Sequence, residues 1–288
     1  MTPNAKEHHQ LAAYIKHCIT PETVTEYRPI DFAGITNARE MSGYINSAGL
    51  KIKPRTLIRS GHLHDASAKD TELLAGTYKL GTVIDLRTER ETEERPDQTI
   101  PGAKYINLPM PDMTAGFGEA EPDDDDPGRY LQDLISAGCI AETGKYSQLV
   151  FGDTARSAFR KFFGLLLEAG GERAVLFHSA AGKDRTGVAA AILLSLLGFE
   201  DEYIIADYMY TNTANASAIK RDVSAVSGFI YDTAELDRVR RINGVQSHML
   251  EFALSKIRIE YGSVADFAKE EYKLSYKDTE ELKRLYLS

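Results

Sequence analysis

Residues Ala174 to Leu197 constrain the fold more tightly than any other part of the chain. Val175, Leu176 and Phe177 make a short apolar run suited to a buried strand, and Val188 to Leu197 a longer one suited to a buried helix. Between them lies His178-Ser179-Ala180-Ala181-Gly182-Lys183-Asp184-Arg185-Thr186-Gly187, a stretch rich in small residues. A strand, a tight loop and a helix in succession aim backbone N–H groups and the positive end of the helix dipole at one point, which makes an anion site. Arg185 adds a planar fork of donors matched to phosphate oxygens. The loop from 178 to 186 is therefore expected to hold a phosphate through Ala180, Ala181, Gly182, Lys183, Asp184 and Arg185.

Two common loops are excluded by the residues themselves. A Walker loop needs Gly where Phe177 stands and Ser or Thr where Asp184 follows Lys183. A hydrolase nucleophile elbow needs Gly on both sides of Ser179, at Phe177 and Ala181, because its strained turn tolerates little side chain. A serine hydrolase pairing Ser179 with His178 is disfavoured too, since neighbouring positions on a strand point to opposite faces.

The segment resembles the Cys-x5-Arg signature of protein tyrosine phosphatases, with Ser179 in the cysteine position and Arg185 six residues on. It is most similar to the bacterial branch whose signature reads His-Cys-x-x-Gly-Lys-Asp-Arg-Thr-Gly. Companion motifs of that branch follow in the same order: Asn37-Ala38-Arg39-Glu40-Met41-Ser42-Gly43, Arg59-Ser60-Gly61, Asp85-Leu86-Arg87 and, near the end, Tyr261-Gly262-Ser263. The likeness spans roughly residues 24–287, with two departures: Glu40 stands for the usual Asp, and Ser179 for the cysteine.

The resemblance implies an α/β tyrosine-phosphatase-like fold, with a central parallel or mixed sheet flanked by helices, a helical lid and C-terminal helices. It also implies hydrolysis of phosphate monoesters through a cysteinyl-phosphate intermediate, without metal or organic cofactor. The implied substrates are phosphotyrosine proteins or peptides, or phosphoinositides. A cysteine near pKa ~8.5 can be lowered to ~3.5–7.5 by a helix N-terminus and nearby cations, and a serine hydroxyl cannot follow it. This chain is therefore expected to bind phosphate esters and turn them over poorly or not at all. Two origins of Ser179 fit: an exchange made to inactivate the enzyme, or a natural pseudophosphatase acting as a phospho-ligand-binding module. The intact set Lys183, Asp184, Arg185 and Thr186 favours the first.

Hydrolysis needs a proton donor and a base as well. Asp184 lies inside the loop, Asp85 ends the apolar run Thr82-Val83-Ile84, and Asp112 follows Leu108-Pro109-Met110-Pro111 where many phosphatases place a mobile acid loop. Lys183 is either a second cation for a ligand with more than one phosphate, or a charge that lowers the nucleophile pKa or pairs with Asp184. The resemblance implies that His178 braces the loop, against a direct acid–base role, and that Thr186 hydrogen-bonds the nucleophile, against simple capping of the helix. His62 and His64 read as a polar loop, because no further ligand beyond Asp65 stands at metal-site spacing.

The rest of the chain alternates short apolar runs with longer amphipathic ones, which suits strands interleaved with helices in one domain over residues 1–288. Strands are expected at Leu57-Ile58, Thr82 to Leu86, Tyr105 to Leu108 and Val175 to Phe177. Helices are expected at Thr154 to Ala169, Glu200 to Tyr210, Ser247 to Tyr261, Val264 to Glu271 and Tyr276 to Leu287. Two segments, 109–127 and 212–241, are candidate lids. A net charge of −9 argues against nucleic acid as a partner, since phosphate backbones are bound by basic surfaces. Two cysteines, Cys18 and Cys139, are too few for a disulfide framework, and no apolar run is long enough for a membrane span. A cytoplasmic location, or a secreted one if a leader was trimmed, fits this pattern.

Overall fold

The computed structural model describes residues 28–111 and 142–288. Six strands form one sheet: β1 (Arg28–Pro29), β2 (Arg39–Glu40), β3 (Leu57–Ser60), β4 (Leu80–Asp85), β5 (Lys104–Asn107) and β6 (Ala174–His178). Their order across the sheet is β1-β2-β3-β6-β4-β5. β3, β6, β4 and β5 run parallel, while β1 and β2 extend one edge antiparallel. The sheet is mixed, as expected, around a parallel centre.

The last strand in sequence takes the middle place because it can be buried on both sides. All five residues of β6 are buried. Val175 and Phe177 join the larger core cluster, and Ala174 and Leu176 the smaller one on the opposite face. That division follows the two-residue period of a strand. On the smaller side lies α1 (Ala68–Gly76), whose Leu74 packs with Ile58 and Val83.

The larger side is covered by α3 (Glu142–Phe151), α4 (Asp153–Ala169) and α5 (Asp184–Leu196), with α2 (Glu89–Glu94) a short capped helix near the sheet end. On α4, Ala155, Ala158, Phe159, Phe162, Phe163 and Leu166 are buried at helical spacing, and Phe162 meets Phe177 edge to face at 5.3 Å. Gly170 ends the helix with a left-handed φ of 68°. The chain then runs through α6 (Asp201–Ala214), α7 (Ala216–Val226), α8 (Thr233–Asn243), α9 (Ser247–Tyr261), α10 (Val264–Glu271) and α11 (Tyr276–Tyr286).

Helices α7 and α8 have an apolar cluster of their own, built on Val226, Ile230 and Val239. They occupy most of the expected lid segment 212–241. The other candidate lid, 109–127, is described only as far as Pro111. Tyr261-Gly262-Ser263 is the joint between two helices: Gly262 has φ 85°, and the Ser263 side chain caps α10 by accepting from Asp266 N–H. Among the described residues no helix is long and apolar enough to cross a membrane.

Candidate active site

Register brings the sequence motifs together. Ser60 and Asp85 both pair with His178, so the ends of β3, β4 and β6 are level at one carboxyl edge of the sheet. Ligands of open α/β sheets gather at that edge. The loop from Ser179 to Lys183 leaves β6 there and enters α5 at Asp184.

Three successive carbonyls of this loop are held from outside. Ala180 O accepts from His62 N–H at 3.2 Å. Ala181 O accepts from Asn37 Nδ2 at 3.0 Å and Asn215 Nδ2 at 3.3 Å, and Gly182 O accepts from Asn37 Nδ2 at 2.8 Å and Arg59 Nη2 at 3.0 Å. In a trans peptide the N–H points opposite to the carbonyl of the same unit, so the amides of Ala181, Gly182 and Lys183 point away from the donors that hold these carbonyls. Gly182 is needed for this path: its φ is +65°, and a Cβ would stand 2.3 Å from Ser60 O. Gly187 serves packing, because a Cβ there would meet the Tyr208 ring at 2.8 Å.

The side chains of the loop are placed as follows. Ser179 is 3% exposed, and its Oγ accepts from Thr186 Oγ1 at 2.8 Å. Arg185 donates through Nη1 and Nη2 to both oxygens of Glu91, at 2.6 and 2.7 Å. Burial would raise the Glu91 carboxyl, but the Arg185 guanidinium and the bonds from Thr88 outweigh it and hold the group below its ordinary range. Lys183 Nζ donates to Ile242 O at 2.8 Å, near the end of α8, and lies 3.7 Å from Asp184 Oδ2. Asp184 Oδ1 accepts from Tyr146 Oη at 2.6 Å, and Tyr146 in turn bonds Tyr208. Burial, with Asp184 beside it, pushes the Tyr146 hydroxyl well above its ordinary pKa, so it remains a donor.

His178 turns away from Ser179. Its Nε2 lies 2.8 Å from Asp97 Oδ2 and its Nδ1 3.8 Å from Asp85 Oδ1. Asp85 is fully buried behind the loop, where Arg87 Nε and Nη2 and the Tyr105 hydroxyl reach its carboxylate. Burial opposes its ionisation, but His178 and Arg87 hold its pKa below the ordinary value. Asp85, Asp97 and His178 are the described group with atoms close enough to share a metal ion. Arg87 already bridges the two carboxylates, donating to Asp85 Oδ2 at 2.7 Å and to Asp97 Oδ1 at 2.8 Å, so the set is an internal network already occupied by a guanidinium. Asp112 lies outside the described residues.

A second network lies under the carbonyl side. Arg39 Nε donates to Asp207 Oδ1 at 2.9 Å and Nη2 to Asp207 O at 2.8 Å, while Nη1 reaches Asn37 Oδ1 at 2.6 Å. Arg59 Nη1 pairs with Asp207 Oδ2, and Tyr44 Oη donates to Asp207 Oδ1 at 3.1 Å. Arg39, Arg59 and Asp207 are all 0–1% exposed. Burial would raise the Asp207 carboxyl, but the two guanidiniums hold it at about 2. Burial and the neighbouring Arg39 lower Arg59 to about 10 in spite of Asp207. Removing one member of such a buried set costs about 3–5 kcal/mol, because a charge is left uncompensated.

Sequence reasoning found the loop but missed Glu91, Asp97, Tyr146 and Asp207. The spacing from Thr88 to Glu91 was readable as a capping box, with the Thr88 side chain on Glu91 N–H and the Glu91 carboxylate on Thr88 N–H. The second use of Glu91, as the partner of Arg185, was not.

A sequence profile described as the tyrosine phosphatase family matches residues 30–288. The chain belongs to the tyrosine phosphatase family. A Cupriavidus necator protein named as a putative tyrosine-protein phosphatase is 27% identical over 277 residues, 94% of this chain and 95% of its own length. The triple specificity protein phosphatase PtpB of Mycobacterium tuberculosis is 28% identical over 248 residues, 76% of this chain and 86% of its own. Among solved structures, P. aeruginosa TpbA matches with 13% identity and a TM-score of 0.36, covering 77% of this chain and 98% of its own. The family assignment rests on the profile, and it makes this chain a member of a family of phosphate monoester hydrolases.

Proposed function

We propose that this chain binds phosphate monoesters in the 178–186 loop, and that with cysteine at 179 it hydrolyses them through a cysteinyl-phosphate intermediate. The observation that carries the reading is the hold on the Ala180, Ala181 and Gly182 carbonyls, which turns three successive amides away from those donors to meet a dianion, with the Glu91-held Arg185 guanidinium in the same loop. In the first step a thiolate at 179 attacks phosphorus in line, the ester P–O bond breaks and the leaving oxygen takes a proton. In the second, water attacks phosphorus, the P–S bond breaks and inorganic phosphate departs. The loop amides and Arg185 stabilise the charge on the transferring group in both steps.

Ser179 cannot play the first part. Its hydroxyl would need an adjacent base, and His178 is engaged with Asp97 on the far side of the strand. The protein as it stands is a binding form. Asp184 is the aspartate we assign to proton transfer: it belongs to the loop, its side chain is 15% exposed, and Tyr146 orients it. Asp85, by contrast, is assigned to bracing, since its carboxylate is buried and occupied by Arg87.

The substrate class extends from phosphotyrosine peptides to phosphoinositides. Lys183 is a second cation at the loop, and its contact with a backbone carbonyl is one that a second phosphate can replace. The name of PtpB, a triple specificity phosphatase, agrees with that range. The test is Ser179→Cys assayed on p-nitrophenyl phosphate, a phosphotyrosine peptide and inositol lipids. Turnover appears if the reading is right. A cysteine form that binds these ligands without turnover leaves a noncatalytic phospho-reader in which Ser179 is native.

A further inference from the structure

We propose that Asp207 is a positioning residue of the phosphate cradle, acting through Arg39, Arg59 and Asn37 to fix which way the loop amides point. The inference rests on the phosphate-binding reading of the loop and extends it to a carboxylate on α6.

Two chains of contacts run from Asp207 to the loop. In one, Asp207 Oδ1 and its carbonyl hold Arg39, and Arg39 Nη1 holds the Asn37 side-chain oxygen at 2.6 Å. That bond decides the orientation of the Asn37 amide: oxygen towards Arg39, nitrogen towards the loop, where it donates to Ala181 O and Gly182 O. In the other, Asp207 Oδ2 holds Arg59, and Arg59 Nη2 donates to Gly182 O at 3.0 Å. The peptide planes that carry the Gly182 and Lys183 amides are thus set by donors whose own positions depend on one carboxylate. Asn37 sits in the left-handed region with φ 53°, a conformation its residue type accepts, so the main chain brings the amide to the loop.

Charge makes Asp207 the keystone of both chains. Arg39 and Arg59 are wholly buried side by side, and each lies in direct contact with Asp207. Without that negative charge the two guanidiniums repel across a water-poor space, and Arg39 leaves the Asn37 side-chain oxygen while Arg59 leaves the Gly182 carbonyl. The backbone of α6 does not depend on Asp207 to stay in place, because Ile204, Ile205, Ala206 and Tyr208 seat the helix in the main core. Loss of the carboxylate should therefore disturb the cradle in a chain that is less stable but still folded.

The experiment measures tungstate, a tetrahedral dianion, binding to the full Ser179 chain by calorimetry. Asp207→Asn keeps the shape and removes the charge, and we expect tungstate affinity to fall tenfold or more with the far-ultraviolet circular dichroism unchanged. Asn37→Asp keeps the acceptor for Arg39 and removes the two donors to the loop, with the same expected loss. The double variant should lose less than the product of the two, because both act on the same carbonyls. In the Ser179→Cys background, Asp207→Asn should also raise the pH midpoint of iodoacetate alkylation, which a purely structural role would leave in place. Affinity within twofold of the parent in either single variant, or fully multiplicative losses, overturns the inference. If Asp207→Asn fails to fold, Asp207→Glu, which keeps the charge and displaces the carboxylate, decides by the same affinity criterion. A parent chain that binds no tungstate removes the phosphate-binding reading, and this inference with it.

Discussion

Thr186→Val in the Ser179→Cys protein isolates one contribution to the ionisation of the nucleophile. Thr186 is fully buried, and its hydroxyl donates to the Oγ of Ser179 at 2.8 Å. With sulfur at 179 the same hydroxyl meets a thiolate, and a hydrogen bond to a charged group contributes about 1.5–3 kcal/mol. At ~1.36 kcal/mol per unit, that equals a thiol pKa difference of about one to two units. The remaining depression comes from the α5 N-terminus and the inward amides, which Val leaves intact. Val is close in volume, so the cradle keeps its shape while the donor is lost. The assay is the second-order rate of alkylation by iodoacetate across pH, in the Ser179→Cys protein with Thr or Val at position 186. The midpoint should rise by about one to two units on going to Val. A midpoint that stays within about a third of a unit, or moves down, refutes the assignment of Thr186 to the nucleophile.

Glu91→Gln keeps one acceptor for Arg185 and loses a charge-assisted bond, which lowers the melting temperature at pH 7 by about 3–5 °C. The Glu91 carboxyl is held below its usual 4.5, so its contribution is present above that value and is lost as pH falls through the folded pKa. The gap between variant and parent in pH-dependent melting should therefore close on acidification, and a gap that widens contradicts the Arg185 pairing. Gly182→Ala forces a Cβ to within 2.3 Å of Ser60 O at a φ of +65°, so anion binding should disappear in calorimetry while circular dichroism stays native. In the Ser179→Cys form, Asp184→Asn should remove a limb of the pH–rate profile. Asp85→Asn should keep that limb and lower the melting temperature, and the reverse pattern would exchange the two roles.

The parts of the fold that were legible are those whose burial is written in side-chain type. β6 is buried on both faces and reads as an unbroken apolar run, and α4 shows its buried aromatics at helical spacing. β1 is two exposed residues, Arg28 and Pro29, and β2 adds Arg39 and Glu40, so neither carries an apolar signature. α8 contains a single buried residue, Val239, which leaves little periodicity to read. The loop was legible because glycine, arginine and small residues at fixed spacing are demanded by anion geometry. Asp207 was not legible: it is a carboxylate within a run, Ile204 to Tyr208, whose burial only the structure shows. Its partners Arg39 and Arg59 stand more than a hundred residues away, and only the sheet brings them to it.

The most direct test of the cradle is a crystal of the Ser179 chain grown with tungstate or a phosphotyrosine peptide. The dianion should sit within hydrogen-bonding distance of the Ala181, Gly182 and Lys183 amides and the Arg185 guanidinium, beside Ser179 Oγ. An anion bound elsewhere, with that loop empty or its carbonyls turned inward, would contradict the account.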